Sequence, residues 1–299
     1  MNISNRSLLL TAAALAAVPA ASQAQPTAHY VPGVEGIKAA SLPPPGFYLR
    51  DYNVMYFSHQ LNGPDGHGID PAQANAFIYA NVPRLVWITK LEVLGGNIGV
   101  DALLPLQYTG LEANTPLGRF DDHTFGVGDF FAEGTWSRHT EHFDFSVGYG
   151  VWAPTGDSAP PLNTLAGSGY WSQMITAGAT WYPDKEKKFS VSALTRYEFN
   201  TIDGDTGVRP GQALTLEWGV GYAPIKTLDL GVVGYYQQQT TQDSPPSAAG
   251  KDHVVAVGPE VSLVWPKIAL ITSLRYLYEV SAVDRLQGQT VTLTVTKRF

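Results

Sequence analysis

Thr290-Val291-Thr292-Leu293-Thr294-Val295-Thr296-Lys297-Arg298-Phe299 closes the chain. In an extended strand Val291, Leu293, Val295 and Phe299 share one face, and Thr290, Thr292, Thr294, Thr296 and Arg298 share the other. An apolar face suited to lipid beside a polar face suited to a lumen is the mark of a membrane-spanning β-strand.

The same alternation recurs upstream. Residues 266–280 set Ile268, Leu270, Leu274, Tyr276 and Tyr278 against Ala269, Ser273, Arg275 and Glu279. Residues 212–223 set Leu214, Leu216, Trp218, Val220 and Tyr222 against Thr215, Glu217, Gly219 and Gly221. Residues 188–200 set Phe189, Val191, Ala193, Tyr197 and Phe199 against Ser190, Ser192, Arg196, Glu198 and Asn200. Twelve such segments are expected, at 46–60, 73–88, 91–108, 124–138, 142–153, 171–182, 188–200, 212–223, 227–239, 253–265, 267–280 and 289–299. In the second, Arg84 shares the parity of Ile78, Ala80, Val82, Val86 and Ile88 beside Pro83, so a bulge or a shifted boundary is expected there.

A soluble sandwich also alternates, so the connections decide. Short gaps fall at Lys90, Thr140-Glu141, Pro183–Lys188, Pro224–Lys226 and Pro266-Lys267. Longer gaps, rich in Gly, Pro, Asp, Asn and Ser, fall at 60–73, 109–123, 154–170, 201–211, 240–252 and 281–288. Short periplasmic turns alternating with long extracellular loops describe an all-β antiparallel transmembrane barrel, with its terminal strands ending on the periplasmic side. The descending strands end near short turns with Trp87, Trp136, Trp181-Tyr182, Tyr222 and Trp265, where an interfacial aromatic belt belongs.

The beginning of the chain fits export. Arg6 precedes the apolar run Leu8–Val18, then Pro19 and Ser22-Gln23-Ala24, so residues 1–24 read as a signal peptide. Residues 25–45, with Pro26, Pro32 and Pro43-Pro44-Pro45, read as an irregular segment in the periplasm or in the lumen as a partial plug, and 46–299 as the barrel. The absence of cysteine excludes a disulfide scaffold, and a net charge of −7, or −8 without Arg6, argues against nucleic-acid binding.

Leu42-Pro43-Pro44-Pro45-Gly46-Phe47-Tyr48, Gly126-Val127-Gly128-Asp129, Pro154-Thr155-Gly156-Asp157, Gly258-Pro259-Glu260-Val261 and the closing Arg275-Tyr276, Glu279, Gly288 and Phe299 carry a resemblance over nearly all of residues 33–299. The chain resembles the outer-membrane protein family linked to the meta-pathway of phenol degradation. The resemblance implies a barrel in the outer membrane of a Gram-negative bacterium, often encoded beside aromatic-compound catabolism, that helps hydrophobic or aromatic nutrients across. It transfers no catalytic residues.

Enzymatic readings are weaker. Asp205-Thr206-Gly207 has no second copy to complete an aspartic dyad. The seven histidines, among them His29, His139 and His142, fall mostly in loops or turns without zinc spacing and read as solvated. Asp65–Asp70 and Asp203–Asp205 lack the full oxygen set of a calcium loop. A barrel phospholipase needs Ser and His on adjacent outward positions, which the strand assignment does not supply, and Ser168 in Gly167-Ser168-Gly169 lacks nucleophile-elbow spacing. No catalytic, cofactor or metal residue is expected.

Candidate lumen-lining residues follow from the inward parity: Asp129, Glu133, Asp144, Trp152, Arg196, Glu198, Glu217, Glu260, Arg275 and Glu279, with Asp101, Phe131 and Tyr235 on the same parity. Such charges either pair to fill the interior or line a narrow pathway. The expected function is a passive outer-membrane channel for small hydrophobic or aromatic compounds, with loops 154–170 and 240–252 at its mouth. A plugged structural or adhesive barrel and a barrel hydrolase are the alternatives. Expected partners are outer-membrane lipid and lipopolysaccharide, those solutes, and the barrel-assembly machinery through the strand ending in Phe299.

Overall fold

The computed structural model describes residues 28–69, 73–115, 118–158, 166–246 and 250–299; the export signal read at residues 1–24 lies outside these. Among the described residues fourteen strands follow one another: β1 (Gly46–Leu61), β2 (Gln73–Val93), β3 (Gly96–Leu103), β4 (Leu106–Thr115), β5 (Gly118–Val127), β6 (Phe130–His139), β7 (Phe143–Ala153), β8 (Ser172–Trp181), β9 (Phe189–Asn200), β10 (Ala213–Ile225), β11 (Leu228–Gln239), β12 (His253–Trp265), β13 (Leu270–Val283) and β14 (Leu286–Arg298). All pairings are antiparallel, and β1 pairs with β14 on one edge and β2 on the other, which closes the sheet. β3 and β4 both pair with β2 and form one wall strand interrupted at Leu104-Pro105. β5 and β6 form another, interrupted at Gly128-Asp129. Fourteen segments less these two breaks make a closed twelve-stranded barrel.

The interruption explains Pro83. The pairing of β2 with β4 ends at Asn81–Leu106 and that with β3 begins at Arg84–Leu103. Pro83 therefore sits where that edge has no ladder partner, an environment proline tolerates. The β1–β2 register runs through Asp51–Pro83 without a shift, so the bulge expected beside Arg84 is absent; the shift of β2 against β3 lies between Ile88 and Glu92. Arg84, Val86 and Ile88 turn inward while Leu85 and Trp87 face out.

Other boundaries also move. Residues 109–123, expected as a loop because of their glycines and acids, pair as a β4–β5 hairpin supported along its length by β2. The expected long connection at 281–288 is the two-residue turn Asp284-Arg285. The turn expected at Lys90 lies at Leu94-Gly95, where φ angles of 52° and 73° match a two-residue hairpin turn. The strand expected from residue 267 begins at Leu270, after a helical turn over Pro266–Ile268 and a left-handed Ala269 at φ 49°.

Alternation sorts the side chains. Along β9 exposed and buried residues alternate strictly from Phe189 to Arg196. Trp87, Trp181, Tyr222 and Trp265 stand exposed on the outer wall near the short turns. So much exposed apolar surface is stable against lipid and not against water. Phe299 packs its ring on Phe47 at 6.0 Å and closes the β1–β14 seam by donating its N–H to the Phe47 carbonyl.

A lipid-facing wall makes a depth-dependent prediction. Val232→Arg, in the middle of β11, should lower stability by about 2–4 kcal/mol, and Trp265→Arg, at the aromatic belt, by about 0–1 kcal/mol. Denaturant titration of both variants refolded in lipid vesicles checks this, and equal costs would contradict the assigned depths.

Candidate functional site

Residues 28–45 form no strand. Gly33 at φ 85°, Lys38 at φ 62° and the prolines at 32 and 43–45 keep the segment out of the sheet. It passes through the lumen as a strap. His29 and Tyr30 lie near the upper ends of β7–β9, while Lys38, Ser41 and Leu42 lie near the short-turn end, where Gly46 begins β1. Of the two places expected for residues 25–45, the described residues 28–45 take the lumen.

A buried strap without ladder partners must find acceptors for its amides. The inward carboxylates provide them. His29 and Tyr30 donate their N–H groups to the two oxygens of Glu198 at 3.1 and 3.0 Å. Gly33 and Glu35 both donate to Glu217 Oε1, at 2.8 and 3.0 Å, and Ile37 donates to Glu260 Oε2 at 2.8 Å. Strap carbonyls are met in turn by Arg275 Nη1 at Gly33 (2.7 Å) and Gln237 Nε2 at Tyr30 (3.0 Å). Gly36 has no room for a side chain, since a Cβ there would strike the Glu260–Arg275 ion pair.

The strap contributes its own charge at Glu35. Its carboxylate meets Arg50 at 2.9 Å, Arg84 at 3.4 Å and Arg196 at 3.7 Å, and accepts the Tyr52 hydroxyl at 3.0 Å. Arg84 continues the network to Asp101 (2.8 Å) and Glu133 (3.1 Å).

Aromatic residues gather at the upper end. Tyr30 packs among Phe131, Trp152 and Met174, its ring lies 4.1 Å from the Arg196 guanidinium, and its hydroxyl donates to Glu217 Oε2 at 2.5 Å. His29 stacks on Trp152 and meets Tyr170 edge-on, with Nε2 3.0 Å from Asp129 and Nδ1 2.8 Å from Ser172. Asp129 also accepts the N–H groups of Gly156 and Ser168, which ties both described flanks of loop 154–170 to the wall. Ser172, His29 and Asp129 thus contain the residue types of a hydrolytic triad. Ser172 is fully buried, however, and its hydroxyl also lies 2.6 Å from Asn200 Oδ1, so the group is laid out as a structural network.

At the lower end the fit is steric. Ile37 faces wall positions Gly219, Gly221 and Gly231, and Ala40 faces Gly178; a Cβ would collide with strap or wall atoms at Gly221, Gly231 and Gly178 and would crowd the strap backbone at Gly219. Lys38 pairs with Asp229 at 2.8 Å, and Ser41 meets the Tyr182 hydroxyl at 3.0 Å.

All ten residues singled out by inward parity are at most 6 % exposed. Seven of them gather around the strap: Asp129, Trp152, Arg196, Glu198, Glu217, Glu260 and Arg275. The other three bind chiefly to wall residues. Glu133 binds Arg84 and Thr176, Asp144 binds Tyr182, His139 and Lys187, and Glu279 binds Tyr56, Tyr235 and the Gly288 amide. His29, Tyr30, Glu35 and Arg84 were missed. His29, read as solvated, is buried because the strap carries it into the barrel. The available signal was the row of inward glycines, which marks a close approach of another backbone.

Solved structures share this fold. An outer membrane channel from Pseudomonas putida F1 aligns over 90% of this chain and 100% of its own, with a TM-score of 0.74 at 13% identity. The β domain of the Bordetella autotransporter BrkA aligns over 85% and 99%, at 0.51 and 12%. The translocator domain of the autotransporter NalP from Neisseria meningitidis aligns over 86% and 90%, at 0.50 and 8%. No curated protein matches the chain by sequence. Its closed barrel and apolar outer wall are those of a Gram-negative outer-membrane protein. A family profile described as "Putative MetA-pathway of phenol degradation" matches residues 58–295, and the chain belongs to that family.

Proposed function

We propose that this protein is an outer-membrane channel that passes small hydrophobic or aromatic compounds by diffusion, and that the strap governs its lumen. The observation that carries the reading is the aromatic group at the upper mouth, where Phe131, Trp152 and Tyr170 surround strap residues His29 and Tyr30. Membership of the phenol-degradation family and the likeness to a channel fold support the same reading. On this view loop 154–170, moored at Asp129, borders the entry, and Phe299 at the β1–β14 seam is where the assembly machinery engages the last strand.

One observation favours a structural barrel instead: the strap contacts the wall from mouth to base. Flux separates the two readings. Liposomes with the refolded protein should take up labelled phenol and toluene faster than protein-free liposomes and should not take up a sugar faster. Rates equal to protein-free liposomes for every solute would leave the structural barrel standing.

If the strap governs the lumen, loosening it should open the path. Glu217 holds Tyr30, Gly33, Glu35 and Arg196 at once. Glu217→Ala should cost about 3–5 kcal/mol of stability, because the buried Arg196 loses its closest carboxylate. In planar bilayers it should also show larger and steadier conductance than the unmodified protein. Conductance unchanged in this variant and in one lacking residues 28–42 would show that the strap does not limit passage.

A further inference from the structure

Tyr30 is a phenol docked in a pocket. Its ring packs in one buried cluster with Phe131, Trp152 and Met174, Arg196 lies 4.1 Å from it, and Glu217 accepts its hydroxyl. The backbone carbonyl of Tyr30 is held separately, by Gln237 Nε2 at 3.0 Å. The ring is therefore recognised as a side chain, by contacts that a free molecule of the same chemistry can make. The pocket also holds polar capacity that tyrosine leaves unused. Trp152 Nε1 and Arg196 Nε are buried donors with no hydrogen-bond partner among the described residues.

From this geometry we propose that the Tyr30 pocket is a recognition subsite for phenolic compounds, occupied in the resting barrel by the chain's own tyrosine, which an incoming phenol displaces. The hydroxyl is the discriminating feature. Glu217 Oε2 receives Tyr30 and Arg196 together, and a ring without a donor leaves that oxygen one partner short. Displacing Tyr30 also removes an aromatic anchor of the strap, so recognition and opening act on the same residue. The inference rests on the channel reading above for its biological sense, but its test does not depend on flux.

The test is isothermal titration of p-cresol, the tyrosine side chain cut at Cβ, into the refolded full chain in detergent, with micelles alone subtracted. Tyr30→Gly should bind p-cresol one-to-one, and 4-methylanisole, which cannot donate, at least about tenfold more weakly. The unmodified protein should bind p-cresol more weakly than Tyr30→Gly, because its own ring competes. Tyr30→Phe, which keeps the ring and the packing, should fall between them, and it keeps the test available if the glycine variant does not refold. Absence of saturable p-cresol binding in both variants, with barrels intact by heat-modifiable gel mobility, overturns the subsite, as does equal affinity for 4-methylanisole. Binding with no uptake would remove the channel reading and leave the subsite. Uptake with no binding would do the reverse.

Discussion

The lumen is organised by the need of one unpaired backbone for hydrogen-bond acceptors. Inside a barrel every strand amide already has a ladder partner, but an extended segment that runs through the middle has none. Residues 28–45 are such a segment, and each stretch of their amides lands on a wall side chain: Glu198 at the top, Glu217 and Glu260 in the middle, and Ser192 near the base. A carboxylate suits this task because it accepts in about four directions and donates in none. Glu217 fills that capacity with two strap amides, one strap hydroxyl and Arg196.

Burying this many carboxylates requires cations, and the arginines follow from that requirement. Arg84, Arg196 and Arg275 each touch at least one wall carboxylate, and each also reaches the strap, through Glu35, the Tyr30 ring or the Gly33 carbonyl. Lysine offers only a compact ammonium, whereas the planar fork of Arg275 holds Glu260 with Nε and Nη2 and leaves Nη1 for Gly33. The charged interior is thus a set of paired groups whose geometry assumes the strap is present.

Strand parity was legible in the sequence because one face meets lipid and a period of two leaves no ambiguity. The ten side chains that parity singled out are all buried. The ends of strands were less legible. Glycines and acids at 109–123 read as a loop, but a neighbouring strand supplied pairing that overrides local propensity. The short turn at Asp284-Arg285 was hidden by the polar residues that flank it within β13 and β14. The strap was half legible: its prolines excluded a strand, yet its position depends on contacts more than 150 residues away in sequence, such as Tyr30 with Glu217. Arg84 was an anomaly only while its face of β2 was read as outward; Val86 and Ile88 share its inward side, where Asp101, Glu133 and Glu35 meet it.

The two ends of the strap are held by different physics. Its lower half continues covalently into β1 at Gly46 and sits in a groove of glycines shaped to Ile37 and Ala40, a fit that depends on volume. Its upper half is held by hydrogen bonds and aromatic contacts at His29 and Tyr30, each of which a solute or a change of charge can replace. Contacts of the first kind resist exchange, since nothing smaller than the chain itself fills the groove. Those of the second kind are exchangeable one at a time. On the channel reading proposed above, a solute entering at the mouth meets the replaceable end first, and the strap yields there while its base stays seated against the wall.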